Sequence, residues 1–330
     1  MSLRYTAGLQ SSKVNPESPV TSIEYFIVGG GGGGAGNQAG RGYGGAGGGS
    51  ILSATEYTVV PGITYTITVG AGAPGGVDIG GIASPESLGG FSIFSPPSGP
   101  TSYTANTSGV ISAWGGKSST SGNRAGGGNT QGSDGGLGFA YFPYYYGYDG
   151  LSPTGVDGYT PGYSGGGSID NNGGGGGGGS GGPGMHSEDT GGIGIAQGGP
   201  GIVSTFSGIS VQYGGGGGGG GSGGIEPSRG KAHSYGASGG GEGGRATYRF
   251  EHAYGMGMPN TGGGAGGTSS GGIAPYAPAY NHGNQGGSGI VMIRYPAYMS
   301  TAKSTTGMPQ TYIAGYWRVY KFISSGSITF

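Results

Sequence analysis

The sequence contains no cysteine, and only 8% of its 330 residues are charged, with a formal net charge of −1. The missing cysteines exclude a disulfide framework and any thiolate metal site. Sparse, balanced charge argues against nucleic-acid binding, which depends on clustered Lys and Arg. The densest basic stretch, Arg229 to Lys231 with Arg245 and Arg249, is diluted by Gly, Ser and Glu and reads as solvated surface. No apolar run approaches the ~18 residues of a spanning helix, so no membrane insertion is expected. The opening residues, MSLRYTAGLQ, lack the apolar centre of a secretory signal. Amphipathic helical periodicity is also missing, so little or no α-helix is expected.

Glycine fills the space, with 94 residues, alongside 19 prolines. Without a collagen-like period this composition points towards low complexity. Glycine also loses more backbone entropy on folding than any other residue. Unbroken tracts at 29–34, 173–179 and 214–221 therefore need a regular state if they are to be ordered. Polyproline II geometry built from glycine is one such state. It has three residues per turn, a rise of ~3.1 Å and no internal hydrogen bonds. Its amide and carbonyl groups point outwards and must be paired if buried. Each bond between such rods contributes only about 1 kcal/mol net, while ordering a residue costs about 1–2 kcal/mol. Something must therefore hold the rod ends.

The apolar stretches are the candidates. Ile23 to Val28, residues near 91–94, near 110–114 and 289–295 are short β-branched or aromatic runs. EYTVVPGITYTITVGAG, Glu56 to Gly72, places two such runs around Pro61-Gly62 and predicts a hairpin. Thr64, Thr66 and Thr68 alternate with Tyr65, Ile67 and Val69, which predicts one buried face. The expected fold is mainly β. A small antiparallel sheet or sandwich clamps a bundle of glycine-rich polyproline II rods. The organisation is an N-terminal arm (1–22), a glycine-rich domain (23–296), a linker (297–315) and a C-terminal strand (316–330).

Motifs that match by chance are numerous in such a chain. GGKSS at 115–119 has Ile where the first glycine of a P-loop belongs. Ser180 and Ser222 each sit in G-x-S-x-G, but neither lies between a strand and a helix. His186, His233, His252 and His282 have no ligand spacing. No enzyme activity, catalytic residue, metal or cofactor is assigned. The sharpest anomaly is FAYFPYYYGYDG, where Tyr141, Tyr144, Tyr145, Tyr146 and Tyr148 crowd one loop. Tyrosine gives rigid amphipathic contact area, so these rings either contact a ligand such as a surface glycan or pack against the rods or a neighbouring subunit.

YFIVGGGGGG, VVPGITYTITVGAG, VISAWGG and GGSGIVMIRYP occur in this order over about residues 20–296. Together they resemble the glycine-rich domain found in phage tail-fibre proteins. The resemblance implies an extracellular or virion-associated structural protein, often with host-surface binding at its loops, and neither enzyme activity nor a cofactor. One feature departs from the family pattern. A stretch like YWRVYKFISSGSITF usually precedes the YFIVGGGG strand in tandem copies, whereas here it spans Tyr316 to Phe330. Three arrangements fit: the strand folds back to complete its own sheet, it completes the sheet of the next subunit, or the chain is a piece of a tandem protein. Strand donation would draw affinity from main-chain bonds and, being head-to-tail, would build a filament of identical copies. The residues expected to carry assembly are Tyr316, Trp317, Val319, Tyr320, Phe322, Ile328, Phe330, Tyr25 and Ile27. The expected function is a fibre or filament subunit partnered by copies of itself. The alternative is a receptor-binding tail-fibre adhesin that recognises host surface glycans through its Tyr-rich loops.

Overall fold

The computed structural model describes residues 18–34, 43–76, 78–79, 82–83, 88–97, 111–118, 159–160, 162–163, 165–166, 174–187, 196–220, 236, 239–241, 255–268 and 283–330. The described residues contain strands and no helix. In chain order the strands are β1 (Ser22–Val28), β2 (Ile51–Thr58), β3 (Thr64–Thr68), β4 (Asp78–Ile79), β5 (Ile82–Ala83), β6 (Ser92–Ser95), β7 (Ile111–Ala113) and β8 (Tyr159–Thr160). They continue with β9 (Ile202–Ser204), β10 (Val211–Tyr213), β11 (Ile290–Pro296), β12 (Ser304–Thr306), β13 (Gln310–Ala314), β14 (Trp317–Phe322) and β15 (Gly326–Thr329).

Two sheets form a sandwich, and every strand pair is antiparallel. The six-stranded sheet runs β13-β14-β11-β1-β2-β8, and the five-stranded sheet runs β12-β15-β3-β6-β7. Alternation explains how they meet. Ile23, Tyr25 and Ile27 of β1, Val291, Ile293 and Tyr295 of β11, and Tyr320 and Phe322 of β14 share one face. They pack on Tyr65, Ile67, Phe94, Ile111 and Ile328 from the other sheet. Tyr65 and Phe94 stack with centroids 4.9 Å apart, and Phe330 meets both Tyr65 and Tyr295 edge-on. The opposite face of β1 and β11 carries Phe26, Val28, Ile290 and Met292, covered by Phe206 and Tyr213 of the β9–β10 hairpin. Central β1 is therefore apolar on both faces, which is why its sequence shows little alternation.

The run around Pro61-Gly62 is not a hairpin. β2 pairs with β1 and β8, whereas β3 pairs with β15 and β6. The turn, with Gly62 at φ +80°, carries the chain from one sheet to the other. The expected alternation of β3 does hold, since Tyr65 and Ile67 are buried while Thr64 and Thr66 are exposed. The outer face of the five-stranded sheet is almost entirely hydroxyl. Ser304, Thr329 and Thr64 form one row, and Thr306, Ser327, Thr66 and Ser95 form the next.

The glycine tracts continue the strands. β1, β3, β7 and β10 run into tracts at their C-terminal ends, and β2, β6 and β11 emerge from tracts at their N-terminal ends. Because neighbouring strands are antiparallel, those tracts leave the sandwich together at one end. Beyond it the hydrogen bonding changes period from two to three. The amides of Tyr43, Ala46 and Gly49 bond Thr268, Ala265 and Gly262, those of Gly45 and Gly48 bond Gly175 and Gly178, and those of Gly47 and Ser50 bond Lys117 and Trp114. One tract thus serves three neighbours in rotation, and parallel and antiparallel neighbours coexist. Such spacing leaves no room for side chains. A Cβ on Gly29 would collide with the Trp114 carbonyl, and one on Gly217 with that of Ala265.

Candidate assembly site

Residues 297–330 form a four-stranded module. β13 and β14 pair with each other, as do β12 and β15. β14 lies beside β11 with Val291 opposite Phe322, Ile293 opposite Tyr320 and Arg294 opposite Val319. β15 lies beside β3 with Tyr65 opposite Ile328 and Thr64 opposite Thr329. The module therefore adds two strands to the edge of each sheet. Without it, β11 and β3 would be edge strands with open ladders. The segment 297–315, read from sequence as a linker, contains β12 and β13, and the connection proper shrinks to 297–303.

Most of the sequence-predicted assembly residues come together in the sandwich core. Tyr25, Ile27, Tyr320, Phe322, Ile328 and Phe330 belong to one buried cluster. Val319 is also buried, on the opposite face. Tyr25 and Ile27 do not pair directly with the terminal segment, however. Both edges of β1 are occupied, by β2 and β11, and β11 receives β14 instead. Trp317 is half-buried, and its ring lies 4.6 Å from the Arg294 guanidinium. Arg294 also lies 4.2 Å from the Phe206 ring and donates from Nε to Glu24 Oε2 at 2.6 Å. Tyr316 projects into solvent. Tyr141, Tyr144, Tyr145, Tyr146 and Tyr148 lie outside the described residues.

The connection is tied to the module it precedes. Ala297 N donates to Tyr316 O at 2.8 Å, Ala302 N to the Tyr320 hydroxyl at 2.9 Å, and Lys303 N to Thr329 O at 2.7 Å. Its ties to the body include the bonds from Ser300 N to Ser18 O at 3.2 Å and from Met299 N to Pro296 O at 3.0 Å, and Met299 and Ala302 pack against the core. Tyr295 donates its hydroxyl to Tyr320 at 3.1 Å across the β11–β14 seam. Burial first, and then this hydrogen bond, push the Tyr295 phenol far above its ordinary range.

A family model described as a glycine-rich domain matches residues 6–296. The chain belongs to the glycine-rich domain family. No curated protein and no solved structure matches it. The matched glycine-rich domain ends at Pro296, the last residue of β11, so the whole C-terminal module lies beyond it.

Within the glycine-rich domain, the chance motifs have structural roles. The Ser180 hydroxyl is buried and donates to Gly49 O at 2.6 Å. Around Lys117, the amide of Gly116 bonds Gly30 O and the carbonyl of Lys117 accepts from Gly47, so the P-loop-like backbone belongs to the glycine lattice. Among the described residues, no cluster of His, Asp and Glu is arranged to hold a metal. Among the strands missed from sequence, β13 and the β9–β10 pair had signals. T-Y-I between Pro309 and Gly315 is a short β-branched and aromatic run, and IVSTFSGISVQY (202–213) holds two apolar runs around a turn.

Proposed function

We propose that this protein is a non-enzymatic structural subunit of an extracellular or virion-associated fibre or filament. The observation that carries this reading is the C-terminal module, which completes both sheets at once. The same contacts serve equally when the module comes from a neighbouring copy, because β11 and β3 take it by main-chain pairing. Passing it head-to-tail would give an open filament. The unit of exchange is then residues 297–330, with 297–303 as the hinge. The resemblance to phage tail-fibre domains supports the setting. The three-residue period of the tract bonding supports reading the tracts as polyglycine II rods. Such a block would be stiff and would leave no side-chain cavity for a substrate.

Negative-stain electron microscopy of the intact chain and of a chain ending at Pro296 tests this. Filaments from the intact chain alone, shortened when truncated chains are mixed in, are the expected result. Unchanged assembly by the truncated chain alone would overturn it.

A receptor-binding adhesin is the second reading, favoured by the crowding of Tyr141, Tyr144, Tyr145, Tyr146 and Tyr148 within eight positions of sequence. Discrete particles from both chains would bring it forward. Full binding to glycans or host cells by the Tyr144→Ala, Tyr145→Ala, Tyr146→Ala variant would remove it.

A further inference from the structure

Among the described residues, one side of the sandwich has no further strand in either sheet, and the Ser207–Gly208 turn lies over one face of β13, where the Tyr312 hydroxyl donates to Ser207 O at 2.9 Å. β12 and β13 are terminal strands, one in each sheet, and they follow each other in the chain. Natural edge strands are protected by charge, proline or a bulge. β13 has five residues, Gln310–Ala314, and shows none of these. Pro309 stands before the strand rather than within it, and no residue from Ser304 to Trp317 is charged. Apolar side chains stand exposed along the same edge. Met308 is 93% exposed, Tyr316 90% and Ile313 53%. Met308 and Tyr316 are the two most exposed large apolar residues among those described.

Their spacing selects the occupant. Met308 and Tyr316 each lie four positions from Tyr312, the middle residue of β13. A second copy approaching antiparallel, with a two-fold axis at Tyr312, would set Gln310 opposite Ala314 and Thr311 opposite Ile313. The turn bearing Met308 would face the turn bearing Tyr316, and the symmetry makes this contact twice. Methionine sulfur beside an aromatic ring is a favourable contact. An uncharged strand meets no repulsion from its own copy.

We propose that β13 is a self-association edge that pairs with β13 of a second copy, making the six-stranded sheets of both copies continuous. The contact is isologous and closes at two copies. It would bind subunits or fibres side by side, and it goes beyond the head-to-tail exchange because it does not require the module to leave its own chain. So short an edge belongs to the weak, transient class of interfaces.

Cross-linking and sedimentation of the full chain test it. With no native cysteine, a Thr311→Cys, Ile313→Cys double variant should form a disulfide-linked dimer on mild oxidation, while each single variant stays largely uncross-linked. The readout works whether or not filaments also form, so it fails or succeeds separately from the exchange of residues 297–330. In sedimentation, Met308→Lys with Tyr316→Lys should weaken the dimer by roughly tenfold or more through like-charge pairs. Met308→Lys with Tyr316→Glu should restore it. All four substituted positions are on the surface or edge, and an unchanged melting temperature verifies folding. A native chain that stays monomeric in sedimentation up to about 1 mM, with no dimer cross-link, would overturn the proposal. Equal cross-linking by the single and double variants would overturn the register.

Discussion

The hydroxyls of Thr64 and Thr329 lie 2.8 Å apart across 265 positions of sequence. The same seam carries the bond from Gly62 N to Phe330 O at 2.7 Å. The last strand thus joins β3, near the start of the chain, to β12, and the contribution of the C-terminal module to stability lies in the core beneath. Phe322 is fully buried there. Phe322→Ala should cost about 3–5 kcal/mol. Tyr316→Ala, six positions earlier and exposed, should stay within about 0.5 kcal/mol. Urea unfolding midpoints of the two variants check this. Equal midpoints would mean that the module does not complete the core.

Glycine-to-alanine substitution usually stabilises a protein where the backbone allows it, by reducing unfolded-state entropy. In the tracts the sign should reverse. A Cβ on Gly32 would collide with the backbone carbonyl of Lys117, and both are held in place by bonds to Gly47. Gly32→Ala should therefore cost about 3 kcal/mol or more. At Gly182 a Cβ meets only the ring of Pro200, 2.9 Å away at its nearest atom, so Gly182→Ala should be much milder. Thermal unfolding of both variants measures the contrast. A Gly32→Ala protein as stable as the parent would mean that the tracts are not close-packed.

These two sites mark what the sequence displays and what it conceals. The buried alternation of Tyr65 and Ile67 is legible because a half-buried strand imposes period two on its side chains. The strand β1 is legible from the run Tyr25 to Val28. Sheet assignment is not: Pro61-Gly62 looks like a hairpin turn, and only the pairing partners of β2 and β3, distant in sequence, show that it joins two sheets. Neighbour choice among the glycine tracts is hidden for a stronger reason, since residues without side chains carry no signal of what they face. The terminal segment was recognisable as sheet-completing. Its partner, β11, depends on which edge remains free.

Ser180 offers a direct separation of motif from role. Its hydroxyl is buried and its donor is committed to Gly49 O. Ser180→Ala should cost about 1–3 kcal/mol by leaving a buried carbonyl without that donor. Hydrolysis of simple activated esters should be the same in parent and variant. A loss of hydrolysis confined to Ser180→Ala would overturn this structural role and make Ser180 a nucleophile.

The seam between β11 and β14 should make the protein sensitive to alkali. Burial and the bond to Tyr320 raise the Tyr295 phenol above its ordinary pKa of about 10, and burial raises Tyr25, Tyr57 and Tyr213 in the same direction. A phenol is neutral when protonated, so the folded state holds its proton to higher pH than the unfolded chain does. The linked stability is fully present below about pH 10 and is lost progressively above it. Tyr295→Phe keeps the ring and removes one titrating group. At pH 7 it should cost about 1 kcal/mol for the lost hydrogen bond. Above pH 10 its stability should fall less steeply than that of the parent, by up to about 1.4 kcal/mol per pH unit. Denaturant unfolding from pH 7 to 11.5 resolves the difference. Parallel declines in the two proteins would show that Tyr295 keeps an ordinary pKa, and with it that the β11–β14 seam is open to water.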